Sequence, residues 1–364
     1  MNPNIFNTEK QNHRDYPLFL GESLGLLDTV NKSYPEIDRL YRIMRKQDWS
    51  EDEFDFSQCN ADFKGCDKTT ADMMIETIAW QWEADSIASR SIVSILAPFI
   101  TSSELWAYIT REAEQEVVHA ATYSEAVRMS FDNPDEVLSS ILSSTESIRR
   151  LETVGQVFSD AHLASHQYAL GLLENNQELF NKVYMVMIAK LLLERIQFMA
   201  SFANTYIITE TGIFRQFNVA VQRIAQDELE VHSEFDKVVL NILHKTERGR
   251  IARQQLSGDI TRLFNEVIQS EYRFIDYLFR DGRSLVGTNP DILKQWVLFN
   301  AKDVDRFLGL NLDYQYPKEN PIPAMALWLN MNMTQPTPQE APHSAYKVGV
   351  RMDNDEGIAF ACDW

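Results

Sequence analysis

The sequence predicts an all-α fold, a helical bundle with an irregular N-terminal lead-in and a flexible C-terminal tail. Three observations carry that prediction. Between residues 68 and 313 apolar residues recur at helical spacing, an alternating strand pattern is almost absent, and Gly and Pro fall mainly at the joints. Residues 1–35 read as the lead-in. Periodicity predicts a helix over 69–97, stopped at Pro98, and Thr101-Ser-Ser-Glu104 has the form of a capping box opening a second helix through about Phe131. Asn133-Pro134 makes a turn. Further helices are expected at 135–176, with breaks, at 178–210, ending before Gly212, at 213–245 and at 250–280. RDGRS at 280–284 reads as a loop, and 290–310 as the last helix. Residues 314–364 are rich in Pro, Asn and Gln (PKENPIP, QPTPQEAP) and too poor in apolar residues to fold alone, although the end, GIAFACDW, is again apolar. The expected organisation is one domain over 1–313, lead-in included, and a tail over 314–364.

A chain of 364 residues with 45% hydrophobic content can bury a large core. Its formal charge of −19 has no basic counter-patch, which argues against nucleic-acid binding by phosphate neutralisation. There is no apolar run of about eighteen residues, and MNPNIFNTEK lacks the charged-then-apolar order of a signal peptide, so no membrane association is expected. Cys59, Cys66 and Cys362 are odd in number and lack CxxC spacing, which fits a reducing compartment and offers no disulfide or zinc framework. The cytoplasm is the expected location.

The chemistry concentrates in EAEQEVVHAATYSEA, residues 112–126. Glu116 and His119 are three apart and share a helix face at a spacing suited to two ligands of one metal ion. Tyr123 lies one turn further on that face, roughly 6 Å along the axis. Three other helices each bring an acid into an apolar stripe: Asp85 in WQWEADSIA, Glu194 in AKLLLERIQF and Glu228 in RIAQDELEVH, where His232 follows Glu228 by four. One such pair is common on ordinary helices. Four carboxylates and two imidazoles aimed at one bundle core match the di-iron or di-manganese carboxylate arrangement, with Asp85 replacing one Glu. Burying four carboxylates uncompensated costs several kcal/mol per ion, and two divalent cations would balance them. Oxygen-rich ligation with one imidazole per metal suits iron or manganese.

One turn from each ligand stand Gln81, Tyr123, Phe198 and Ile224, which fall in one layer beside the metals. Tyr123 is then either an ordinary core tyrosine with a satisfied hydroxyl or a redox phenol shielded in an apolar pocket. His162 and His166 are also i and i+4, but lack an acid at ligand spacing and read as packing residues. Met185, Met187, Leu191 and Leu192 read as core.

DSIASRS at 85–91, EVVHAATY at 116–123, LLERIQFMASF at 192–202, IAQDE at 224–228, YLFRDG at 277–282, NPIPAMALWL at 320–329 and AYKVG at 345–349 resemble the radical-generating small (beta) subunit of class I ribonucleotide reductase. The resemblance spans most of the chain. It implies a ferritin-like bundle, usually a homodimer, with two iron ions per chain or manganese in their place. In that family the metal pair reacts with oxygen to oxidise a tyrosine, and the radical passes to a large catalytic subunit that reduces ribonucleotides to deoxyribonucleotides. Carried onto this sequence, Asp85, Glu116 and His119 would bind one metal and Glu194, Glu228 and His232 the other, with Glu116 and Glu228 bridging. Tyr123 would hold the radical, lined by Phe198, Phe202 and Ile224. Trp49, in RKQDWSEDEFD, together with Asp227 and His119 would form the inner electron and proton path, and Tyr346 would relay the radical across the subunit boundary. GIAFACDW would dock on the large subunit through Phe360 and Trp364. The sequence departs from the family at the second pair, normally Glu-x-x-His, where Glu228 and His232 are four apart. A local π-bulge could absorb the added residue, whereas Glu230, two from His232, would point elsewhere. The other readings open to the metal constellation are a stand-alone di-iron oxygenase, which would need an open substrate channel to the metals, or a ferritin-like iron-binding protein, which needs neither Tyr346 nor a docking tail.

Overall fold

The computed structural model describes residues 16–22 and 25–330, which are helical with no strand among them beyond one isolated bridge between Phe19 and Ile100. In chain order the helices are α1 (Pro35–Lys46), α2 (Cys59–Gly65), α3 (Lys68–Leu96), α4 (Ser103–Ser130), α5 (Pro134–Leu142), α6 (Thr145–Ala169), α7 (Gln177–Leu192), α8 (Met199–Thr209), α9 (Arg215–Gln226), α10 (Ser233–Lys245), α11 (Glu247–Gln255), α12 (Ser257–Leu278), α13 (Pro290–Leu308) and α14 (Met325–Trp328). Helix α7 continues into α8 through a π-helical segment, Leu193–Gln197, and α9 into α10 through another, Asp227–His232.

Local chemistry explains the helix ends. Asp67, Ser102, Asn176 and Asn289 cap α3, α4, α7 and α13 by accepting the N–H groups of Thr70, Leu105, Leu179 and Ile292. Pro35 and Pro134 open α1 and α5, where a missing N–H costs nothing, and Gly309, at φ 69°, ends α13 in the left-handed region. The core is formed by α3, α4, the α7–α8 pair and the α9–α10 pair. Around them α6 packs on α3, α7 and α12, α13 packs on α12 and α8, and α1 packs on α4 and α10. Among the described residues no helix is long and apolar enough to cross a membrane.

Several expectations are corrected. The capping box at Thr101–Glu104 does not form, because both side chains have other partners. The Thr101 hydroxyl accepts the Gly21 N–H (2.8 Å), and Glu104 accepts the Tyr34 N–H (3.1 Å) and the Tyr16 hydroxyl (3.3 Å), which ties the lead-in to the bundle. Helices α1 and α2 precede the first expected helix. In α1 only Ile37, Leu40 and Met44 are buried among charged neighbours, a stripe too sparse to stand out in the sequence. His162 and His166 are exposed rather than packed, since the buried face of α6 is Ala161, Ala164, Ser165 and Tyr168. Residues 314–330, expected in the tail, lie on the bundle: the Tyr316 hydroxyl donates to Asp305 (2.8 Å), Trp328 Nε1 donates to Asn218 (2.6 Å), and Met325 and Trp328 are buried. Tyr346, Phe360, Trp364 and the GIAFACDW segment lie outside the described residues.

One polar knot fastens the outer layer to the first π segment. Fully buried Arg150 of α6 donates from Nε and Nη2 to the two oxygens of Glu271 on α12, at 2.6 Å each, and its guanidinium lies 3.9 Å from the Trp80 ring centroid and 3.7 Å from that of Phe274. Nη2 also donates to the Gln197 carbonyl, and Gln197 Nε2 returns a bond to the Arg150 carbonyl (3.0 Å). Removing one partner strands a buried charge, so Arg150→Met should lower stability by about 3–5 kcal/mol in urea denaturation.

At the far end of α10 the Tyr184 hydroxyl lies 2.6 Å from His244 Nε2, and burial together with Arg253 lowers the His244 pKa from 6.5 to about 4. Between these values the folded chain binds fewer protons than the unfolded one, so the contribution is intact above pH 6.5 and is lost as pH falls toward 4. His244→Gln should therefore remove part of the stability loss between pH 7 and pH 5, about 1 kcal/mol given the partial exposure of this histidine, as read from urea midpoints.

Candidate metal centre

The sequence-predicted ligands converge on one buried space. Asp85 comes from α3, Glu116 and His119 from α4, Glu194 from the first π segment, and Glu228 and His232 from the second. All six are at most 1% exposed. Asp85, Glu116, His119 and Glu228 each present a ligand atom, and these atoms lie within 4.8 Å of one another. Glu194 stands outside that tight group, beside Lys190, whose Nζ is 3.8 Å from its Oε1.

Two carboxylates lie between the two imidazoles. Glu228 Oε1 is 2.9 Å from His119 Nδ1 and its Oε2 is 2.8 Å from His232 Nδ1, while Glu116 Oε2 and Oε1 are 3.7 and 3.3 Å from the same two nitrogens. The outer ring nitrogens are held from behind. His119 Nε2 is 3.3 Å from Asp227 Oδ2, and His232 Nε2 is 3.0 Å from Gln115 Oε1. Both of those oxygens only accept, so each imidazole directs an Nε2–H outward and leaves Nδ1 on the side of the carboxylates.

The added residue between Glu228 and His232 sits in the π segment Asp227–His232, where the Ser233 N–H reaches back five residues to the Glu228 carbonyl. The wider turn brings Glu228 and His232 together and leaves Glu230 exposed, as the spacing argument requires. A second π segment, closed by the Phe198 N–H on the Leu193 carbonyl (3.3 Å), holds Glu194; the regular pattern AKLLLERIQF carries no sign of it. Each segment is braced across the bundle at a main-chain carbonyl. Gln197 accepts from Arg150, and Val231 accepts the Tyr108 hydroxyl (3.1 Å).

The donor set fits a divalent metal pair. Both oxygens of Asp85, of Glu116 and of Glu194, together with Glu228 Oε1 and His119 Nδ1, are buried without a hydrogen-bond partner. Glu228 Oε1 and His119 Nδ1 approach each other without the alignment of a hydrogen bond, as two ligands of one ion do. Burial, then Glu116, pushes the Asp85 carboxyl well above the usual range, and burial, then Glu228, does the same to Glu194. So many buried lone pairs call for compact positive charge.

Tyr123 is 1% exposed, and its hydroxyl has no hydrogen-bond partner. Burial and the charges of Asp85, Glu228 and Glu116 hold it well above the usual tyrosine range. Phe198 and Phe202 are buried and stacked at 5.3 Å, Ile224 is buried, and both amide atoms of buried Gln81 are unpartnered. Trp49 Nε1 donates to Asp227 Oδ2 (2.8 Å), and its ring stacks on His119 at 5.6 Å between centroids, which makes Trp49, Asp227 and His119 one continuous contact chain. Lys190, Glu112, Asp236 and Gln115 were not singled out from sequence. The signal was present, since Glu112, Lys190 and Asp236 stand one turn from Glu116, Glu194 and His232 on the side away from Tyr123.

A metal pair bound only by the folded chain must stabilise it. Ferrous iron or manganese(II) at about a thousand times its dissociation constant should add about 4 kcal/mol per site and raise the melting temperature. Glu116→Ala should abolish most of that gain, as read in thermal melts of the metal-free protein with and without metal.

The chain is similar to known proteins over most of its length. The family model described as ribonucleotide reductase, small chain, matches residues 28–321. The ribonucleoside-diphosphate reductase 1 subunit beta of Salmonella typhimurium is 27% identical over 359 residues, covering 94% of each chain, and the corresponding beta subunit of Enterobacteria phage T4 is 22% identical over 378 residues. Among solved structures, the ribonucleotide reductase R2 subunit from Clostridium botulinum superposes with a TM-score of 0.80 at 16% identity, covering 91% of this chain and 99% of that one. A dimanganese(II) protein of Streptococcus sanguinis gives 0.68 at 14% identity, covering 84% of this chain and 99% of that one. The family match covers both the ligand-bearing helices and the tyrosine layer, and the chain belongs to the ribonucleotide reductase small chain family.

Proposed function

We propose that this chain is the radical-supplying small subunit of a ribonucleoside-diphosphate reductase and that Tyr123 holds the radical. The observation that carries the reading is a buried donor set for two metals with an unpartnered phenol in the adjoining apolar layer. Asp85, Glu116 and His119 would hold one ion and Glu194, Glu228 and His232 the other, with Glu116 and Glu228 available to both. Iron is the expected metal, and the same donors accept manganese. Bound there, the pair supplies on reaction with oxygen the oxidant that takes one electron and one proton from Tyr123. The chain's own residues do the rest. Phe198, Phe202 and Ile224 keep water and reductants from the phenol. Asp227 fixes the His119 ring and joins it to Trp49, so that an electron enters the centre along Trp49, Asp227 and His119 as the radical passes outward.

The partner is a large catalytic subunit, where the nucleotide is reduced. Residues 331–364 carry Tyr346, the relay across the boundary, and GIAFACDW, which docks through Phe360 and Trp364. A homodimer in the cytoplasm completes the reading.

Tyr123→Phe should keep about two metals per chain after anaerobic loading with ferrous iron and exposure to oxygen, yet lose the tyrosyl signal in electron paramagnetic resonance that the wild type gives. Tyr346→Phe should keep the signal and lose nucleotide reduction with the large subunit. A normal turnover rate in Tyr346→Phe would exclude the relay, and oxygen consumption with a substrate in the absence of any partner would favour an oxygenase.

A further inference from the structure

The metal layer has two unlike neighbours. On one side lie Gln81, Tyr123, Phe198 and Ile224. On the other lie Glu112, Lys190 and Asp236, displaced from Glu116, Glu194 and His232 by one helical turn each. Lys190 Nζ is 2.9 Å from Glu112 Oε1 and 3.8 Å from both Glu194 Oε1 and Asp236 Oδ1, and all four side chains are at most 1% exposed. Glu112 Oε2 and both Asp236 oxygens have no hydrogen-bond partner. Lys190 is therefore a built-in cation set against one edge of the centre.

This charge stands nearer one metal position than the other. Asp85, Glu116, His119 and Glu228 already converge, whereas Glu194 lies outside their group and in the field of Lys190. We propose that Lys190 is a positioning residue that makes the two metal positions unequal, holding Glu194 and opposing a cation beside it. The position at Asp85 and His119 then fills first, and the position at Glu194 and His232 fills later and more weakly. In an interior of effective dielectric about 20, a unit charge several ångströms from a divalent ion shifts its affinity by about tenfold or more. The proposal rests on the metal-pair reading above and names a residue that the ligand set does not include.

The test is a titration of the full-length, metal-free chain with manganese(II) alone. Free manganese is followed by electron paramagnetic resonance and heat by calorimetry, so the readout is binding and not activity. The wild type should show two separated steps. Lys190→Met should tighten the second step about tenfold or more and the first step less, while Lys190→Arg, which keeps the charge, should restore the wild-type separation. Glu112→Gln, which removes the closest counter-charge of Lys190, should weaken the second step. Unchanged affinities in Lys190→Met, or a Glu112→Gln shift in the tightening direction, would overturn the proposal. If Lys190→Met does not fold, the sign of the Glu112→Gln shift decides alone. A wild type that binds fewer than two manganese ions would instead remove the metal-pair reading, so the two failures are distinguishable.

Discussion

The rest of the structure follows from the burial of carboxylates. Asp85, Glu116, Glu194 and Glu228 occupy one buried space, joined there by two imidazoles, and the hydrophobic effect that closes the bundle offers nothing to such groups. They are tolerable only if something positive shares the space and if each helix holds its side chain there against the tendency to swing out. The first condition is met by a donor set suited to divalent ions and, at one edge, by Lys190. The second explains the polar features spread through the apolar core, since Asp227, Gln115, Arg150 and Tyr108 each hold either a ligand or the backbone that carries one.

The two π segments are the backbone side of this arrangement. An α-helix turns about 100° per residue, so a carboxylate aimed at the centre and a histidine four residues on are offset, and the neighbouring apolar residues cannot all stay inward. One added residue widens the turn and re-aims the ligand without changing direction along the axis. Each segment also accepts, at a main-chain carbonyl, a bond from a side chain of a different helix, Arg150 at Gln197 and Tyr108 at Val231. Arg150 is in turn held by Glu271 and by two aromatic faces, so the aim of Glu194 depends on residues of α6 and α12 that touch no ligand.

What was legible in the sequence divides along the same line. Long amphipathic segments and their Pro and Gly boundaries expose the bundle, because burial repeats every three to four residues whatever the partner is. All six metal-ligand candidates are legible too, since a charged residue inside an apolar stripe has few explanations. The π segment at Asp227–His232 is readable from a spacing of four where three is usual, but the one at Leu193–Gln197 leaves no trace, as it re-aims a single ligand with no second one beside it to reveal the shift. The capping box at Thr101–Glu104 misled for a tertiary reason. Glu104 has the right spacing to cap, yet it bonds Tyr34 and Tyr16, residues that no local pattern connects to it. Helix α1 was missed because its burial is narrow and its charged residues dominate the pattern.

The layers above and below the metals constrain what Tyr123 can become. A phenolate there is opposed by burial and by Asp85, Glu228 and Glu116, all of which raise the proton affinity of the hydroxyl. A protonated radical cation is favoured by those same negative charges but is a buried ion without a hydrogen-bond partner, and an oxidised phenol is so strong an acid that it cannot keep its proton beside carboxylates. Only the neutral radical carries no charge into the apolar layer of Phe198, Phe202 and Ile224. Any one-electron oxidation of Tyr123 must therefore move the proton with the electron. Once neutral, the product has little electrostatic reason to recapture a proton from its surroundings. The same desolvation that makes the carboxylates expensive to bury thus makes the uncharged radical the cheapest oxidised state in the pocket.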